Sequence, residues 1–146
     1  MKHNKFYSAA IVLCMIAFFT ISWAPSPTGV RSNTLGFTKS TPIIITTNGG
    51  NGAPFTTSGA FVTSGTRLMT VRLSGKSEAT AIHCTNTFVT SDGTGTFTIL
   101  SNCQFTTSTG TWRVISGTGN YANLQGNGTL VMVNGGAIET MVGVIY

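Results

Sequence analysis

The chain has 146 residues, of which 8 are Lys or Arg and 3 are Asp or Glu, for a formal net charge of +5. Glycine (18) and threonine (26) dominate it. That excludes a helical bundle or coiled coil, since both are poor helix formers and the usual Glu/Lys pairs are missing. With 41% hydrophobic and only 8% charged residues, the chain can bury apolar surface and does not read as disordered.

In chain order, Lys2, His3 and Lys5 precede an unbroken apolar run from Ala9 to Phe19, the pattern of a secretory signal helix. Residues 1–24 are therefore expected to be a signal peptide, and the protein secreted or periplasmic. The alternative is an uncleaved membrane anchor over residues 6–24, long enough to span a bilayer although Ser8, Thr20 and Ser22 interrupt it. Ser22 and Ala24 suit a cleavage site, but Pro25 would follow cleavage after Ala24, so cleavage after Ser22 and retention both stay open. Leu13 before Cys14 argues against lipidation there.

Residues 25–41 read as a flexible lead. Without Lys2 and Lys5 the balance is 6 basic against 3 acidic residues, or +3. These charges are scattered, with no basic run and no interleaved aromatics, which argues against nucleic-acid binding.

From residue 42 to 146, turn signals recur at Asn48–Gly52, Ser64-Gly65, Ser74-Gly75, Asp92-Gly93, Thr109-Gly110, Gly117–Gly119 and Asn134–Gly136. The stretches between them are rich in Thr, Val, Ile and Phe, as strands prefer. The expectation is an all-β domain, a small antiparallel β-barrel of about eight strands, with a β-sandwich as the alternative.

One hairpin can be read to the residue. Phe97, Ile99, Cys103 and Phe105 alternate with Thr98, Leu100, Asn102 and Gln104. Taking Asp92–Gly95 as a four-residue loop pairs Phe88 with Ile99, Cys84 with Cys103 and Ile82 with Phe105, and puts Thr90 beside Phe97. This register gathers the apolar residues on one face and predicts a Cys84–Cys103 disulfide in an exported chain; two buried free thiols are the alternative. Asn134-Gly135 predicts a second, two-residue turn, before a final strand from Ala137 to Tyr146.

The segment from Gly110 to Gly128 contains Gly117-Thr118-Gly119-x-Tyr121-x-x-Leu124-x-Gly126. It resembles the glycine and aromatic signature of the allene oxide cyclase-like barrel superfamily, which includes dirigent proteins and small secreted bacterial domains of unassigned activity. The resemblance is strong over about 20 residues by inspection, and elsewhere extends only to strand rhythm. It implies a small antiparallel barrel in which a strand ends at the glycine turn, one helical turn follows, and Gly126 opens the next strand. Tyr121 and Leu124 would then plug one barrel end.

Enzymes of that superfamily rely on polar and acidic groups inside the barrel, and the acids here are Glu78, Asp92 and Glu139. Asp92 reads as a loop residue and Glu78 as part of the polar turn Lys76-Ser77-Glu78. Glu139 alternates with Met141 and Ile145 and is the candidate inward carboxylate. Arg113 lies between Trp112 and Val114 and faces away from them. His83 is expected on the outer face beside Thr85 and Gln104. Glu139, Arg113 and His83 are thus the candidate catalytic residues. No Gly-x-Ser-x-Gly elbow is present, and with the cysteines oxidised no metal-ligand spacing remains; no cofactor is expected. Phe88, Phe97, Phe105, Trp112, Tyr121 and Leu124 predict a mostly filled interior, with binding at a mouth or on the outside. The expected function is a secreted or envelope-associated, non-enzymatic barrel that binds a small apolar ligand or a glycan. The alternative is a cyclase-like or dirigent-like enzyme acting on an apolar intermediate.

Overall fold

A computed structural model describes residues 35–36, 39–74 and 80–146. The expected signal helix or anchor (1–24), most of the lead, and Glu78 lie outside the described residues.

Eight strands follow one another around a closed antiparallel barrel. They are β1 (Thr41–Asn48), β2 (Pro54–Gly59), β3 (Ser64–Ser74), β4 (Ala81–Thr90), β5 (Thr96–Gln104), β6 (Thr109–Gly117), β7 (Gly126–Val133) and β8 (Ile138–Ile145). β8 pairs with both β7 and β1, from Thr41 opposite Ile145 to Asn48 opposite Ile138, so no strand edge is left open there. Ser64-Gly65 and Thr109-Gly110, read from sequence as turns, instead open β3 and β6. The Asn134-Gly135 turn is also longer than two residues: Val133 pairs with Ile138, leaving four residues between the strands. Asn134, Gly135 and Gly136 all have positive φ.

Alternation divides inner from outer residues along each strand. At the end formed by the β2–β3, β4–β5 and β6–β7 connections, Phe55, Phe61, Phe88, Phe97 and Tyr121 pack together. Phe88 and Phe97 stack with ring centroids 4.8 Å apart, and Phe55 meets Phe88 edge-on at 4.9 Å. Such pairs contribute roughly 0.5–1.5 kcal/mol each beyond their buried area. A single 3₁₀ turn, Gly119–Tyr121, follows β6, and Gly126 then begins β7. Tyr121 and Leu124 are buried in the same cluster, so this end is closed.

Gly119 lets the Gly117–Gly126 segment dock. Its φ is +57°, and a Cβ there would lie 2.2 Å from the Thr94 carbonyl oxygen. The close approach allows Asn120 N–H to donate to Thr94 O at 2.9 Å and Thr118 N–H to Thr96 O at 2.8 Å. A second close approach holds Trp112. Gly128 and Gly143 face each other across β7 and β8, and a Cβ on either would come within 2.8 Å of the indole. The indole Nε1–H donates to Thr129 O at 3.0 Å.

The β4–β5 register corrects the sequence expectation. Phe88 faces Phe97, Cys84 faces Ser101 and Ile82 faces Cys103, a shift of two residues. Faces survive such a shift but partners do not. The cause lies in the loop. Thr90 N–H and Thr90 Oγ1–H both donate to Gly95 O, at 3.3 and 2.8 Å, so pairing starts at Thr90 and Gly95, while Ser91 N–H donates to Ser64 O on β3 at 2.9 Å. Asp92 Oδ1 accepts from Thr94 N–H and Thr94 Oγ1–H at 3.0 and 2.8 Å. Cys84 and Cys103 are consequently not opposed, the expected disulfide is not formed, and both thiols are free. Phe105 falls beyond the end of β5 and is 43% exposed rather than core.

Candidate functional site

Inward side chains shrink toward the second barrel end. β5 runs inward through Phe97, Ile99, Ser101 and Cys103, and β4, in the same direction, through Phe88, Asn86 and Cys84. The aromatic end fills; the other keeps a cavity of about 330 Å³, at the small end of ligand-binding volumes. The expectation of a mostly filled barrel therefore holds for one end alone. Apolar wall is provided by Met69 and Val71 of β3, Ile82 of β4 and Met132 of β7, with Phe105 at the rim.

Arg67 and Glu139 lie at this cavity. Arg67 Nη1 donates to Glu139 Oε2, and Arg67 Nη2 donates to Gly49 O. The guanidinium is 2% exposed and the carboxylate 10%. Taking two charges out of water is costly, and geometry repays it only when the pair is mutually satisfied. The β1–β2 loop supplies part of that satisfaction. Gly49 N–H donates to Ala137 O at 2.6 Å, Gly52 N–H to Arg67 O at 2.8 Å, and Met69 N–H to Asn51 Oδ1 at 2.7 Å. The rim is thereby strapped to β3 and to the β7–β8 turn.

Ser101 also lines the cavity; its Oγ accepts from Asn86 Nδ2 at 3.0 Å, and its hydroxyl proton is the donor that favours the Cys84 thiolate. Arg67 Nε and Asn86 Oδ1 are buried without a hydrogen-bond partner. Cys84 and Cys103 complete this side. Burial is the main force pushing the Cys84 thiol up to about 11; the Glu139 charge adds to it, while Arg67 opposes it. Burial and then Glu139 raise Cys103 as well. On both thiols the net effect disfavours a free thiolate.

The three residues read from sequence as catalytic candidates are not brought together. Glu139 points inward as expected, but its partner is Arg67 rather than strand hydroxyls. Arg113 is exposed on the outer face of β6, opposite in sense to Trp112, which is 2% exposed. His83 is also on the outer face, between Arg72 and Asn102 rather than beside Gln104. Its Nδ1 donates to Asn102 Oδ1 at 2.6 Å, because that carbonyl oxygen only accepts, and its Nε2 lies 3.1 Å from Ser74 Oγ. Arg67 was missed, although a signal existed: it shares the period-two face of Met69 and Val71. The Cys84 and Cys103 positions were found, but as a bridge and not as cavity wall.

Comparison with family models, with curated proteins and with solved structures gives no match.

Proposed function

We propose that this protein is an exported, non-enzymatic barrel that holds one small, uncharged, largely apolar molecule bearing a hydroxyl or carbonyl group. Export rests on the signal pattern of residues 1–24, with residues 6–24 as an anchor in the alternative. The observation that carries the binding reading is the cavity itself, with thioether, thiol and aliphatic walls and an ion pair that is neutral in sum. A carboxylate ligand would have to displace Glu139 from Arg67, and an ammonium ligand would have to displace Arg67 from Glu139. Either would strand a buried charge, at a cost of several kcal/mol. An uncharged oxygen can instead accept from the Ser101 hydroxyl, which lines the cavity. The apolar walls favour such a ligand over a glycan, whose many hydroxyls would need more partners than this cavity supplies.

The cyclase-like or dirigent-like reading that the Gly117–Gly126 signature suggests would use Glu139 as its inward carboxylate. The commitment of that carboxylate to Arg67 weighs against a role in proton transfer.

The test is a fluorescence titration with N-phenyl-1-naphthylamine, an uncharged apolar probe, followed by displacement with small alcohols and ketones. Expected is saturable one-to-one binding, weakened at least about tenfold by Met132→Trp, which fills the cavity, and unaffected by Arg113→Ala on the outer face. Binding that survives Met132→Trp, or no saturable binding by the wild type, overturns the reading.

A further inference from the structure

Four sulfur atoms border one small cavity. Cys84 on β4, Cys103 on β5, Met69 on β3 and Met132 on β7 all line the open end of the barrel. Cys84 and Cys103 occupy diagonal inward positions on neighbouring strands, since Cys84 pairs with Ser101 and Cys103 with Ile82. Met69 stands in the same diagonal relation to Cys84 across β3 and β4, where Val71 is the residue opposite Cys84. Diagonal neighbours are within reach of long side chains. Between Cys103 and β7 stands only Gly110, which pairs with both Cys103 and Leu130. No β6 side chain therefore separates Cys103 from the β7 wall at that level.

We infer that this cavity is a binding site for a soft monovalent d¹⁰ cation, Cu(I), held by the sulfur atoms of Cys84 and Cys103 as thiolates, with Met69 and Met132 as thioether ligands. The donor set chooses the metal. Thiolate and thioether donors select Cu(I), whereas zinc calls for a fuller set of nitrogen, oxygen and thiolate ligands. Among the described residues no three His, Cys, Asp or Glu side chains group together, and Glu139 is already committed to Arg67. Cys84 and Cys103, expected from sequence as a bridge, are free thiols and so open to a metal.

The chemistry balances without a redox step. Each Cu–S(thiolate) bond forms as an S–H bond breaks, and the two protons leave to solvent while copper stays Cu(I). The bound unit carries one negative charge, which the Glu139 carboxylate opposes and the Arg67 guanidinium favours, as they do for the Cys84 thiolate. Because each thiol gives up a proton on binding, binding competes with protons. Apparent affinity should rise by up to about tenfold per pH unit for each proton released.

This inference does not depend on the apolar-ligand reading, and its test is separate. Cu(I) is presented anaerobically as its bicinchoninate complex to the full chain carrying Cys14→Ser, so that the N-terminal thiol does not contribute. Expected is transfer of one Cu(I) per chain, tightening with pH. Cys84→Ser and Cys103→Ser should each weaken it by about 100-fold or more, and Met69→Leu or Met132→Leu by several-fold. X-ray absorption of the loaded Cys14→Ser protein should show a first shell of sulfur alone, a readout that stands even if a cysteine variant fails to fold. No transfer, a nitrogen or oxygen shell, or unchanged affinity in folded Cys84→Ser and Cys103→Ser variants overturns the inference.

Discussion

Arg67 on β3 and Glu139 on β8 are 72 residues apart in sequence, yet their side chains join inside the barrel across the two strands that separate them. The pair couples the β1–β2 loop, through the Gly49 and Gly50 carbonyls, to the strand that closes the barrel. It also sets the electrostatic character of the cavity, which presents polarity without net charge.

Removing one partner should therefore be worse than removing both. Arg67→Met or Glu139→Leu alone is expected to destabilise by about 3–5 kcal/mol, because an unpaired charged group stays buried. The double variant Arg67→Met/Glu139→Leu should recover most of that loss. Urea unfolding of the four proteins gives the coupling directly; additive losses in the double variant would show that the two side chains act independently.

The Cys84 thiol should be sluggish at neutral pH. With its ionisation pushed up to about 11, alkylation by iodoacetamide should be slow and should accelerate by about tenfold per pH unit until near that value. The same shift has a thermodynamic sign. A folded-state value above the unfolded one means the native state holds the proton more tightly, so this stabilisation is complete below about pH 9 and declines toward about pH 11. Denaturation midpoints across that window should fall in the wild type and fall less in Cys84→Ala.

Trp112 depends on two glycines that face each other. A Cβ at Gly143 would lie 2.1 Å from Asn127 O and 2.6 Å from the indole. Gly143→Ala should thus destabilise even though it adds a single methyl group, since a backbone carbonyl cannot yield as a flexible side chain can. Trp112→Ala should cost about 3–5 kcal/mol, as expected for emptying a buried aromatic site. A thermal midpoint for Gly143→Ala equal to that of the wild type would refute the slot.

Asp92 should confer a small acid-sensitive contribution. Its carboxyl lies below the usual range, chiefly because the Thr94 N–H, then the Thr94 hydroxyl, donate to the ionised form. A depressed folded value means the stabilisation is present above about pH 4, the ordinary carboxyl range, and fades as pH falls through the folded value. Asp92→Asn should flatten this part of the acid unfolding profile. An unchanged profile would mean that the loop does not draw on the carboxylate.

Local chemistry carried much of this protein in its sequence. Threonine and valine between glycine turns specify strands, and alternation assigns faces: Trp112 inward and Arg113 outward, Glu139 beside Met141, and His83 away from Phe88. Even the hollow end had a local trace in the fall from Phe97 and Ile99 to Ser101 and Cys103. Register was different. A period of two is unchanged by a shift of two residues, so alternation alone cannot choose between Cys84 opposite Cys103 and Cys84 opposite Ser101. The choice is made at the loop, where the Thr90 N–H and hydroxyl both close on Gly95 O. The ion pair is likewise a product of closure. Arg67 and Glu139 become neighbours only when β8 returns to β1, because a contact between distant strands has no periodic signal in the chain.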